Sequence, residues 1–450
     1  MSATMVSKNV SPTPRQRWLY SIANIAHVIP AQMVGFILFF FTDIKRLPVA
    51  IASSVMFAYS IWDAVNNPIM GYISDRTKTR WGRRIPYIKF GAVPFALALI
   101  FIWLAPFDGV EQPTALALWM IFVPFIWEGL GTMTTTAYYA LLPEMFNTYE
   151  DRTKVAVSMN IIQVVGLFIG MAGTPILTDT IGWVPTAAIF AVITIITYYI
   201  GLPGMFERES SVKAESIPFF DALKYTFINR SFVSLVISQT FRFVGTGTLT
   251  TGVLFYVKYS LEADEGFGSV ILGVAFIVSA LSLELWRRVI SSRFEARTTL
   301  MIANAVMGIS IIPMGFVRST VTAAIAAAGL GLGLAGLILM GDVIVADVID
   351  EDEVVTGQRR EGMYFGMSKF IMKLSGSIVA LWFGWIAPAY GYNSALEVQP
   401  ETVGAGFRVF LTAPVVVSSI LAIISLFFYP LYGERLKQVK ETLAARRSIE

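Results

Sequence analysis

A chain of 450 residues that is 55% hydrophobic and only 14% charged, with a mean hydropathy of +0.65, is far too apolar for a water-soluble fold, in which roughly a quarter of residues carry charge. It has no cysteine and one histidine, His27, which excludes disulfide scaffolds, thiolate or multi-histidine metal centres, and most Ser-His-Asp chemistry. The formal net charge of +3 calls for no nucleic-acid partner, because the cations fall where membrane topology wants them.

In chain order, residues 1–17 are polar, lack the apolar core of a signal peptide, and read as a cytoplasmic N-terminal tail. Apolar runs of about 20 residues, the length that crosses hydrocarbon as a helix, then recur twelve times. The expected spans are 18–42, 49–73, 86–106, 115–142, 154–178 and 183–204, then 231–257, 267–289, 299–317, 321–346, 363–389 and 406–431. A mixed-charge, partly amphipathic connection over 205–230 separates two halves of similar length, an N-terminal bundle over 18–204 and a C-terminal bundle over 231–431. A basic tail over 432–450 closes the sequence. Lys and Arg crowd alternate loops: Arg76 to Arg84, Arg152 and Lys154, Arg287 to Arg297, Arg359 and Arg360, and the tail. That asymmetry places both termini in the cytoplasm. The segments 141–160 and 345–369 echo each other, each running from acids through arginine into a helix with polar residues inside. Twelve helices in two six-helix, pseudo-symmetric bundles around a central cavity is the architecture of many secondary transporters.

An ionised side chain at a helix centre costs roughly 2.5–3.5 kcal/mol on insertion scales, so each needs a partner, a cavity or a task. His27, Asp63, Glu128, Arg242, Lys369 and Lys373 lie well inside the expected spans. Asp63, Asn66 and Asn67 share one face of the second helix at i, i+3 and i+4. Glu128, Thr132, Thr135, Thr136 and Tyr139 form a stripe of the same period on the fourth, and Asn24 with His27 and Asn160 with Gln163 make shorter stripes on the first and fifth. Stripes of this kind cannot face lipid, so they are expected to converge on an aqueous cavity. Each has a plainer alternative: a threonine returns its proton to the backbone one turn back, Lys369 is close enough to a span end to snorkel, and a lone histidine serves equally as a structural donor. Asp63, about 15 Å from the cytoplasmic end, is the strongest functional candidate. After it, Gly71, Asp75, Arg76 and Arg80 make a Gly-x-x-x-Asp-Arg loop that suits a charged latch breaking and reforming as two halves rock.

Three stretches, "WDAVNNPIMGYISDRTKTRWGRRIPY" (62–87), "YYALLPEM…YEDRTK" (138–154) and "VADVIDEDEVVTGQRREGMYFGMSKFIMKLSGS" (345–377), resemble the major facilitator superfamily and, within it, the glycoside–pentoside–hexuronide:cation symporters related to melibiose permease. The resemblance covers nearly all twelve spans. It implies a cation site at Asp63, Asn66, Asn67 and Thr132, where melibiose-type members carry a second carboxylate in place of Asn67. It implies a glycoside site at His27, Thr135, Tyr139, Asn160 and Lys373, of which only the lysine and the aromatic character match the melibiose-type pattern. Two pocket acids have thus become His27 and Thr135, while Lys373 remains and Lys369 lies one turn away, a bias toward positive potential that suits an acidic sugar.

The expected function is an inner-membrane secondary transporter, not an enzyme, that moves a sugar or glycoside by alternating access as a monomer, with no cofactor beyond a coupling Na⁺ or H⁺. An amphiphile such as a lysophospholipid, or uncoupled facilitation, is the alternative. The amide at Asn67 leaves two versions of the ion site open. A single-acid site at Asp63 predicts H⁺ coupling or plain facilitated diffusion, with weak or absent Na⁺ dependence. A site rebuilt with Glu128, one turn from Thr132, regains the second carboxylate and predicts Na⁺-stimulated uptake, provided the glutamate reaches across to the second helix.

Overall fold

The computed structural model describes residues 12–77, 79–146, 148–207, 219–358 and 360–447; some helical side chains, those of Asp75 and Asp342 among them, lie outside that description. Backbone groups in hydrocarbon must be satisfied within their own segment, so the apolar runs become helices. Among the described residues the only extended pairing is a bridge between Thr79 and Gly82. The chain forms two compact units, one of residues 1–215 with 264–269 and 393–398, the other of 216–263, 270–392 and 399–450.

The first unit holds α1 (Pro14–Ile22), α2 (Ile25–Val34), α3 (Ile37–Phe39), α4 (Val49–Arg76), α5 (Ile85–Leu104), α6 (Pro113–Met145), α7 (Tyr149–Ile181) and α8 (Trp183–Gly201). A capping box opens α1: Gln16 N–H donates to the Thr13 hydroxyl (3.2 Å) and Thr13 N–H to the Gln16 side chain (2.9 Å). The first expected span is bent rather than straight, its parts Pro14–Val34 and Ile37–Ile44 meeting at 41°. An earlier break at Ala23 and Asn24 is bridged by short-range bonds, Asn24 N–H to Ser21 O (3.0 Å) and Ala26 N–H to Ala23 O (3.2 Å). Tyr20 and Tyr138 lock α1 to α6. Each hydroxyl donates to the other's backbone carbonyl (2.7 and 2.8 Å) and the rings stack at 4.5 Å. Where α5 crosses α6, a Cβ on Gly131 would lie 2.8 Å from the Phe95 ring, so the helices approach at glycine contact.

The second unit holds α9 (Phe219–Ile228), α10 (Arg230–Phe255), α11 (Phe267–Leu285), α12 (Ala296–Ser310), α13 (Thr320–Thr356), α14 (Glu361–Lys373), α15 (Ser375–Ala389), α16 (Thr402–Phe427) and α17 (Glu434–Arg447). The eleventh expected span is interrupted at Leu374, immediately after Lys373, and α15 restarts on Ser-Gly-Ser. Among the described residues ten helices are long and apolar enough to cross a membrane, eleven if the bent first segment counts as one, against the twelve expected. The shortfall is α10, which is 26 residues long but carries Gln239, Arg242 and a series of serines and threonines.

The basic tail is not loose. Helix α17 buries Leu436, Val439 and Leu443, spaced at i, i+3 and i+7, and lays its cations on the acidic end of α13. Lys440 Nζ sits 3.2 Å from Asp347, Arg435 2.6 Å from Glu351, and Arg446 donates to the last-turn carbonyls of Glu353 and Val354. Asp347 and Glu351 are buried while their partners stay half-exposed, so truncating a partner strands a carboxylate. Lys440→Ala is expected to lower stability by about 1–2 kcal/mol after allowing for screening at the exposed lysine. Asp347→Asn added to it should restore most of the loss in thermal unfolding. Equal melting of wild type and Lys440→Ala would show the clamp to be energetically idle.

Candidate functional site

The polar faces of α4 and α6 meet in the first unit. Asp63, Asn66 and Asn67 share the α4 face as expected, but with different surroundings. Asn66 is fully buried, whereas Asp63 and Asn67 are half-buried. Asn67 donates to the backbone carbonyl of Asp63 (3.3 Å), an internal helix contact that leaves its own oxygen available. Asn66 donates to the backbone carbonyl of Glu128 on α6 (3.3 Å), while its Oδ1 is buried with no hydrogen-bond partner. A buried acceptor left unmatched costs about 1–3 kcal/mol and marks a place where a donor or a cation would be welcome.

Glu128 reaches across to the second span. Its Oε1 accepts from the Thr132 hydroxyl (2.9 Å) and its Oε2 from the Tyr59 hydroxyl on α4 (2.9 Å). Thr132 therefore does not return its proton to the backbone, unlike Thr134 and Thr135, which donate to Leu130 O (3.1 Å) and Gly131 O (2.8 Å). Tyr59 was not singled out by sequence, although it lies four residues before Asp63 on the same face.

A second polar group gathers at the break in the first span. Asn24 gives an amide hydrogen to Met159 O (3.4 Å), so its oxygen faces Tyr139, whose hydroxyl donates to it (3.1 Å). With that proton spent, His27 Nε2 donates to the Tyr139 oxygen, 2.9 Å away. His27 and Tyr139 are thus brought together, and Asn24 is an additional member of the group. Thr135 has its hydroxyl proton on the backbone, and Asn160 on α7 is exposed. Lys369 and Lys373, exposed and half-exposed on α14, belong to the other unit.

The described anchoring of the basic loop after α4 lies beyond the expected latch residues. Asp75 lies outside the described side chains. Among the described residues, a methyl on Gly71 would meet no atom within 4 Å, so that glycine marks no close approach. Arg80 stacks on Trp81 at 4.0 Å, and Arg76 is exposed. The described ion pairs of this loop run from Arg83 and Arg84 to Glu144 at the end of α6 (2.8 and 3.2 Å). The buried Glu207, just past α8, accepts the backbone N–H groups of Arg83, Arg84 and Ile85 (2.7, 2.7 and 3.0 Å), a carboxylate seated on the N-terminus of α5.

Similarity to known proteins agrees with this build. The sequence model of the MFS/sugar transport protein family matches residues 19–433. The isoprimeverose transporter of Lactiplantibacillus pentosus is 25% identical, over 95% of this chain and 90% of its own length. The sodium-dependent lysophosphatidylcholine symporter 1 of Mus musculus is 23% identical, over 97% of this chain and 91% of its own. The crystal structure of a bacterial homolog of the human lysosomal transporter Spinster superposes with a TM-score of 0.66 at 13% identity, covering 95% of this chain and 99% of that one, a likeness of fold alone. Polytopic, helical and matched over residues 19–433, the chain is a multi-pass membrane transporter that belongs to the MFS/sugar transport protein family.

Proposed function

We propose that this protein is a cation-coupled symporter of a sugar or glycoside, working by alternating access in the cytoplasmic membrane with both termini inside the cell, and that H⁺ is its coupling ion. The carrying observation is the Glu128 carboxylate held between α4 and α6 by Tyr59 and Thr132, beside the unmatched Asn66 oxygen and one face with Asp63. A carboxylate at membrane depth that bridges two helices is costly without a task, and binding and releasing an ion is the task a symporter needs. The isoprimeverose transporter among its relatives supports a sugar as cargo. In this reading His27, Asn24 and Tyr139 contribute to sugar-hydroxyl recognition in the N-terminal bundle (18–204), Lys373 does so in the C-terminal bundle (231–431), and the loop with Gly71, Asp75, Arg76 and Arg80 steadies the end of α4.

The mouse lysophosphatidylcholine symporter among the relatives supplies the competing cargo. The deciding measurement is uptake by proteoliposomes of a panel of neutral glycosides, their uronic-acid counterparts and a labelled lysolipid, with Na⁺ and H⁺ gradients imposed separately. Glycoside uptake driven by an inward H⁺ gradient is expected, with uronic acids competing better than neutral sugars. Uptake of the lysolipid alone would overturn the sugar assignment.

A further inference from the structure

We infer that Tyr59 sets the ion choice of this transporter, by occupying the Glu128 oxygen that a Na⁺ would need. The inference rests on the cation-coupled reading above. A carboxylate offers two oxygens, and both here accept a hydroxyl proton, at 2.9 Å from Thr132 and 2.9 Å from Tyr59. The two donors are not equivalent. Thr132 can turn its proton back to a carbonyl one turn earlier, as Thr134 and Thr135 do, and then present its oxygen to a cation.

Tyr59 has no such freedom. Its ring is buried at 8% exposure and packs edge-on against Phe125 of α6 (5.7 Å, 70°). Phe125 is itself held, stacking with Trp62 (6.1 Å, 16°) and accepting the Trp62 indole N–H at its carbonyl (3.2 Å). A phenol keeps its O–H in the plane of its ring, and with the ring held the hydroxyl faces Oε2 at 2.9 Å. A hard cation needs several oxygens to replace its water shell. With Oε2 engaged by the Tyr59 hydrogen, Glu128 offers a cation Oε1 beside the Thr132 oxygen, one carboxylate ligand fewer than it would without Tyr59. A proton needs a single lone pair and is not excluded. Tyr59 is therefore a positioning residue that acts through Glu128.

The test is full-length Tyr59→Phe, which keeps the packed ring and removes the hydroxyl. Purified in detergent, it is expected to gain a Na⁺-dependent rise in melting temperature that the wild type lacks, with an apparent Na⁺ affinity at least about tenfold tighter, the worth of one freed ligand. Glu128→Gln in the same background should abolish that gain. In proteoliposomes, glycoside uptake by Tyr59→Phe should become Na⁺-stimulated. Indifference of folded Tyr59→Phe to Na⁺ in the melting assay overturns the inference. Should the variant not fold, the wild type still decides: a Na⁺-dependent stabilisation of wild type that Glu128→Gln removes also overturns it. Absence of glycoside uptake under any gradient, with the melting result as expected, would count against the transport reading and leave the ion-choice inference standing.

Discussion

Glu128→Gln is expected to abolish accumulation of substrate against a gradient while leaving downhill exchange of labelled for unlabelled substrate measurable. Glutamine keeps the volume and one acceptor oxygen, so it still receives the Thr132 or the Tyr59 hydroxyl, and the stability cost should stay near 1–2 kcal/mol. What it removes is the charge that an ion binds. The accumulation ratio should therefore fall to unity at full expression. Asp63→Asn is the companion variant, because Asp63 shares the α4 face with Asn66 yet has half-buried surroundings of its own. If Asp63→Asn loses accumulation and Glu128→Gln does not, coupling runs through the α4 acid alone and the Glu128 bridge is structural. If both lose it, the site is the two-carboxylate version, with Glu128 standing in for the acid missing at Asn67.

The largest effect on stability is expected at Gly82. Its φ of +106° is a backbone conformation that glycine alone adopts cheaply, and a Cβ there would lie 2.3 Å from Oε1 of Glu207. Gly82→Ala must therefore both strain the backbone and push aside a carboxylate that satisfies three amides at the start of α5. Charge-assisted hydrogen bonds are worth about 1.5–3 kcal/mol each, and a combined loss of about 3–5 kcal/mol is expected, seen as a lower melting temperature and poor recovery from the membrane. The cause can be isolated by a cycle. With Glu207→Ala already in place the clash is gone, so adding Gly82→Ala should cost only the backbone strain, about 1–2 kcal/mol. Equal costs in the two backgrounds would mean that the carboxylate plays no part.

Run length alone made most spans legible, because an apolar stretch of about 20 residues has few other uses. The departures arose where the fold depends on distant partners. The helix break at Ala23 and Asn24 has neither glycine nor proline, and the Asn24 side chain is held by Met159, 135 residues away. The basic tail reads as a topology anchor by charge; the spacing of Leu436, Val439 and Leu443 was the signal that it is an amphipathic helix with a docking face. At the site, helical spacing put Thr132 beside Glu128 and Asp63 beside Asn66, since those contacts are local. That Glu128 crosses to Tyr59, 69 residues earlier, depends on how α4 packs on α6, which no local pattern encodes. Glu207 offered even less, an acid past a span end whose partners lie 122 to 124 residues back in the chain.

The polarity of α10 has a consequence for how the protein is made. An arginine and a glutamine near the middle of one helix make it a poor substrate for entering lipid alone. In the finished fold Gln239 donates to Gly341 O, Arg242 to Leu337 O, and Ser234 and Ser425 exchange hydrogen bonds with each other's carbonyls. Those partners come 102, 95 and 191 residues later in synthesis. Retention of α10 at the insertion site until α13 and then α16 have been translated is the expected consequence. On that expectation a nascent chain arrested before α13 should leave α10 extractable from the membrane, and a carbonate-resistant α10 at that stage would rule it out.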